Sequence, residues 1–121
     1  MNNKELANEL NDMLSEFYNT LCNPSKSCVN CEMFKYKKKY SIGGECSALY
    51  LATKLLGTTK DTAMFTKKQY EVFISGICKC DDSRYCLNEC NMRDNRAYTD
   101  LLENRGSCFF IYLGMILLRD I

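Results

Sequence analysis

Histidine is missing altogether from the 121 residues, and proline occurs once, at Pro24. Without an imidazole, a serine triad cannot form and a cysteine nucleophile has no histidine base. Zinc would also lack the ligand commonest in its catalytic sites. No G-x-x-x-x-G-K-[ST] phosphate loop or G-x-G-x-x-G fingerprint occurs, and SIGGE reads only as a turn. The paired carboxylates Asp81-Asp82 follow a cysteine motif, where a turn or helix-capping role accounts for them. A non-enzymatic protein is therefore expected.

Strong charge of either sign is also lacking. Sixteen basic residues against fifteen acidic ones leave a formal charge of +1, so no overall field draws the chain to nucleic acid or anionic lipid. Long apolar runs are lacking too. The longest, CFFIYLGMILL from Cys108 to Leu118, is eleven residues, about half of the roughly 20 needed for a spanning helix. A buried C-terminal helix or strand is expected there, with no membrane partner. The N-terminus, MNNKELANEL, is polar from its second residue and does not resemble a secretory signal, so a cytoplasmic location is expected.

What the sequence does have is cysteine. The nine are Cys22, Cys28, Cys31, Cys46, Cys78, Cys80, Cys86, Cys90 and Cys108. A disulfide framework suits small secreted chains, and the odd count and polar N-terminus fit it poorly. Cys28-x2-Cys31 has the spacing of a metal knuckle, in which a tight turn aims two thiolates at one ion. Cys46 follows the Gly43-Gly44 turn, and either Cys22 or Cys108 could supply the fourth ligand. Cys22 is the first choice, because Cys108, inside CFFIYL, reads as a small buried hydrophobe. The second group is Cys78, Cys80, Cys86 and Cys90, the last two one helical turn apart and so on one face. Two structural zinc ions, each held by four thiolates with no open position, are the first reading. An iron–sulfur cluster takes the same ligands and is the alternative. A dithiol redox role for Cys28 and Cys31 would call for a strand-helix-strand setting that the pattern does not show.

Length and composition fit one mainly α-helical domain over residues 1–121. Leu6, Leu10, Met13, Leu14, Phe17 and Leu21 recur at three and four, predicting an amphipathic helix from Lys4 to Leu21 that opens on an Asn2/Glu5 capping box and stops near Pro24. The segment CEMFKYKKKYSIGGEC, Cys31 to Cys46, is expected to be a short hairpin or loop pinned by metal. CSALYLATKLLG predicts a helix with Ala48, Leu51, Ala52 and Leu55 on one face and Gly57 at its end. After a polar link TTKDT, a helix is expected to start at Thr66, with Tyr70, Phe73, Ile74 and Ile77 as its stripe. A long helix from about Ser83 to Gly106 and a final apolar helix capped by Ser107 complete the expectation.

Three surfaces stand out. Lys35, Tyr36, Lys37, Lys38, Lys39 and Tyr40 mix cations with aromatics beside the knuckle, the composition of a phosphate-tracking, base-stacking patch. It is equally that of a solvated lysine-rich hairpin. Glu9, Asp12 and Glu16 give the first helix an acidic face, and Arg93 and Arg96 sit among mixed charges that suit docking to a protein.

With CVNC, GGEC and ICKCDDSRYCLNEC on a small neutral helical chain, the sequence resembles small cysteine-rich proteins of phages and prophages of Gram-positive bacteria, in particular zinc-containing type II anti-CRISPR proteins. The resemblance implies stoichiometric inhibition, in which the protein binds an RNA-guided effector nuclease and blocks DNA loading or cleavage while zinc holds its shape. Anti-CRISPR proteins share no common fold, so no site residue comes with the resemblance. The alternative is a zinc-ribbon-like nucleic-acid-binding or transcription accessory protein that uses Lys35 to Tyr40.

Overall fold

Asn2 opens the first helix of the computed structural model, which describes residues 2–78 and 108–119. Its side-chain oxygen accepts from the Glu5 N–H at 2.9 Å, and the Glu5 carboxylate accepts from the Asn2 N–H at 3.3 Å. This is the reciprocal capping box that the sequence predicts. Helix α1 spans Asn3–Phe17 and then widens into a π-helical turn, Tyr18–Cys22, before one last turn at Asn23–Ser25. Pro24 therefore does not stop the helix ahead of itself. The Asn23 N–H reaches back five residues to the Tyr18 carbonyl, and the chain leaves the helix only at Lys26, in the left-handed region with φ 64°.

The segment expected to form a hairpin is helical instead, and no strand occurs among the described residues. A 3-10 turn, Cys28–Asn30, leads into α2, Glu32–Lys39. Glu, Met and Lys are good helix formers, and Met33, Tyr36, Lys37 and Tyr40 turn inward at helical spacing. Glu32 in the first turn and Lys37, Lys38 and Lys39 in the last complement the helix dipole. The lysine run thus belongs to a helix C-terminus. A Schellman motif closes it: the Ile42 N–H donates to the Lys37 carbonyl at 3.0 Å and the Ser41 N–H to that of Lys38 at 3.3 Å. Ser41 adopts φ 52° where glycine is usual. Ser41→Gly is expected to raise stability by about 0.5–1 kcal/mol, the left-handed penalty less the backbone entropy that glycine loses on folding. A lower denaturant midpoint in this variant would show that the serine side chain contributes more than its backbone strain costs.

The Gly43-Gly44 pair lies under aromatic rings. Gly44 has φ +85°, and a Cβ on it would stand 2.8 Å from the Phe109 ring, which meets Tyr70 edge to face at 5.1 Å. Helix α3, Cys46–Leu56, follows and ends on Gly57, as its sequence predicts. Helix α4, Lys60–Val72, begins six residues earlier than the sequence indicates. Thr59 caps it by accepting from the Thr62 N–H at 3.2 Å. Thr66 is a fully buried interior residue whose hydroxyl donates to the Thr62 carbonyl at 2.8 Å. The buried stripe runs through Thr62, Ala63, Thr66 and Phe73, while Ile74 is exposed. A π-helical turn, Phe73–Ile77, ends this segment. The C-terminal apolar run forms α5, Cys108–Gly114, and a π-helical turn, Met115–Arg119. The helix expected from Ser83 to Gly106 and the Ser107 cap lie outside the described residues.

One main core joins α1 (Leu6, Leu10, Leu14), α3 (Ala48, Leu51, Ala52), Phe73 and α5 (Phe109, Phe110, Ile111, Leu113). The contact between α3 and α5 is the most extensive. Two satellite clusters extend from α3. Tyr36, Ile42, Leu49 and Ala63 tie α2 and its loop to α3 and α4, and Phe17, Cys31 and Met33 join the end of α1 to the start of α2. The second satellite is where the thiols gather.

Candidate metal centre

Four local structures deliver the first group of cysteines. Cys22 is the last residue of the π-helical turn after α1, and Cys28 opens the 3-10 turn. Cys31 is the N-cap of α2, and Cys46 is the first residue of α3. The Cys31 N–H donates to the Cys28 carbonyl at 3.0 Å, which closes the tight turn of the Cys-x2-Cys pair. All four side chains line one cavity of about 380 Å³, walled by Phe17, Tyr18 and Phe34 and bordered by Lys26 and Glu45. Cys31 is buried, Cys22 and Cys46 are half-buried, and Cys28 is exposed. The thiols surround the space without yet meeting in it: among the described residues, no three Cys, Asp or Glu side chains already converge on a point that would hold a metal ion.

Burial pushes the Cys22 thiol up, with Cys31 and Cys28 adding to the shift. Burial likewise pushes Cys46 up; Lys37 opposes it, and Cys31, Cys28 and Cys22 reinforce it. Both of these thiols therefore sense Cys28 and Cys31. Left to themselves they stay protonated, which makes them poor nucleophiles. A soft divalent cation inverts that preference by replacing the protons, and four sulfur donors around one cavity fit zinc. No protein-family model, curated protein or solved structure matches the chain. The site's chemistry has to be argued from its own residues.

Of the second group, Cys78 ends the π-helical turn after α4, half-buried against the main core in extended backbone. Cys80, Cys86 and Cys90 lie outside the described residues, as do Arg93 and Arg96. Cys108 begins α5 and packs on the main core, whereas Cys22, Cys31 and Cys46 share the satellite cluster around Phe17.

The surface residues divide sharply. Lys35, Lys38 and Lys39 are exposed on α2, with Lys38 over the Phe34 ring at 5.5 Å and Lys39 over Tyr40 at 5.3 Å. Lys35 lies 3.5 Å from Glu32. Tyr36, expected in the stacking patch, is instead 8% exposed, and its hydroxyl donates to the Thr59 carbonyl at 2.6 Å. Tyr40 is half-buried against it, ring edge to ring face. These two tyrosines serve the fold, because an amphipathic helix cannot present positions 33, 36, 37 and 40 outward together with 35, 38 and 39. On α1, Glu9 and Asp12 are exposed. Glu16 pairs with Lys54, whose hydrogen bond is the main reason its carboxyl lies below its usual value. That pairing already occupies Glu16 within the fold. Sequence spacing did not point to Lys37 as a neighbour of the thiols. It is half-buried on the inner side of α2, and its link to Cys46 depends on how α2 and α3 pack.

No helix among the described residues is long and apolar enough to cross a membrane.

Proposed function

We propose that the chain is a non-enzymatic, zinc-stapled helical protein that acts by binding another protein, as an inhibitor of a type II RNA-guided effector nuclease. The observation that carries its non-catalytic character is the cavity that Cys22, Cys28, Cys31 and Cys46 line between aromatic walls. Four protein thiolates complete a tetrahedral zinc and leave no position for water or substrate. With no histidine in the chain, no imidazole base stands beside the thiols. A second ion at Cys78, Cys80, Cys86 and Cys90 completes the proposed pair of staples. Docking falls to exposed charge, with Glu9 and Asp12 on α1 available to a basic channel of the kind that holds a guide–target duplex.

The test uses purified components. Guide-loaded type II nuclease, incubated with the protein before target DNA is added, is expected to lose cleavage at about equimolar inhibitor and to co-elute with it. Unchanged cleavage and separate elution, repeated across nucleases of this class, would remove the proposal. A second reading, nucleic-acid binding, draws support from Lys35, Lys38 and Lys39, exposed on α2 beside Phe34. Tight binding of the isolated protein to short DNA, weakening steeply with salt, would favour it over protein docking.

A further inference from the structure

We infer that Cys22, Cys28, Cys31 and Cys46 are the ligand set of one zinc site, with Cys22 and not Cys108 as the fourth ligand. This inference rests on the reading that the thiols hold zinc. It adds the choice between the two candidate fourth ligands.

Geometry selects the fourth ligand. Cys22 lies five residues beyond Phe17, so an uninterrupted α-helix would point it about 140° away from Phe17 around the axis. The wider turn at Tyr18–Cys22 takes up part of that rotation, and Cys22 packs with Phe17, Cys31 and Cys46. Cys108 packs in the main core with Phe109 and Phe110 for neighbours in its own helix. The 3-10 turn holds Cys28 and Cys31 close together, and α3 brings Cys46 to the same cavity. Zinc needs sulfur at about 2.3 Å, so binding draws the four side chains into the space they now surround. Their four protons pass to solvent, and the cation takes four thiolates.

That complex carries a net charge of −2, which a partly buried site has to offset. Cys31 caps α2, and Glu45, which precedes Cys46, caps α3, neither cap side chain accepting from the first-turn N–H groups. Both ends therefore offer N–H donors and the positive end of a helix dipole to sulfur.

The experiment measures zinc content of the full-length reduced protein and the Co²⁺ spectrum of the same chain. Cys22→Ser, Cys28→Ser, Cys31→Ser and Cys46→Ser are each expected to lose one equivalent of zinc relative to the parent, and Cys108→Ser none. Cys22→His guards against a variant that merely misfolds. Because imidazole also binds zinc, it is expected to keep the ion while shifting the Co²⁺ bands from four sulfur ligands towards three sulfurs and one nitrogen. Unchanged bands in Cys22→His, or loss of one ion in Cys108→Ser, would overturn the ligand set while leaving the zinc reading intact. A parent chain that binds no zinc would overturn the zinc reading itself.

Discussion

Stripping metal from the full-length protein with a strong chelator is expected to lower its thermal midpoint by on the order of 20 °C. The estimate comes from comparing magnitudes. Structural zinc supplies on the order of 10 kcal/mol of apparent binding free energy, while a whole domain of this size is stable by only about 5–15 kcal/mol. Part of the binding energy is spent drawing the four thiols inward. A net loss of about 5 kcal/mol at roughly 4 °C per kcal/mol gives the expected shift. The loss is expected to fall first on residues 22–46, where the satellite cluster around Cys31 is small, and to spare part of the α1–α3–α5 core. Calorimetry with and without chelator measures it, and an unchanged midpoint would exclude a stabilising metal.

The pH dependence should reverse with the metal. In the metal-free chain, burial holds Cys22 and Cys46 above their ordinary values. Their contribution to stability is then present below the unfolded thiol value and is lost as pH rises through the folded one. With zinc bound, protons compete with the cation for sulfur, so stability is lost as pH falls. Alkaline sensitivity after chelation and acid sensitivity before it would together identify thiolate ligation.

Local rules carried much of the helical pattern. The Asn2/Glu5 cap, the α1 stripe and the stop at Gly57 each depend on residues within a few positions, and each appears where its spacing places it. Errors arose where a local signal served a distant contact. Gly43-Gly44 looks like a hairpin turn, yet the glycines let the loop pass under Tyr70 and Phe109, which are remote in sequence. That signal hid the helical spacing of Met33, Tyr36 and Tyr40. Thr66 and Gln69 have the spacing of a cap, but Thr66 is buried and its hydroxyl is satisfied by Thr62 one turn earlier, so the helix runs through it. At the candidate site, the tight turn between Cys28 and Cys31 was legible from spacing alone, and spacing also put Cys22 with that pair. How Cys22 reaches the cavity was not legible, because it depends on a π-helical turn, and neither was the influence of Lys37 on Cys46, because it depends on helix packing.

Gly114→Val is expected to cost about 3 kcal/mol, near the upper end for overpacking a core. Gly114 lies on α5 where α1 passes closest: a Cβ there would overlap one methyl of Leu10 and stand 3.0 Å from the other. Leu10 is fully buried, with no open side towards which to retreat. Leu10→Ala alone is expected to cost about 2–5 kcal/mol through the cavity it leaves. Combined with Gly114→Ala, whose methyl points into that cavity, it should cost less than the sum of the two single changes by about 1 kcal/mol or more. Strictly additive costs in denaturant melts would mean that α1 and α5 separate to admit the methyl, and the close approach would not be what holds them. The damage should also reach the thiols. Helix α3 packs on α5 through Leu51 and its neighbours and begins at Cys46. Gly114→Val is therefore expected to retain zinc less well than the parent, though better than Cys46→Ser, which removes a proposed ligand outright.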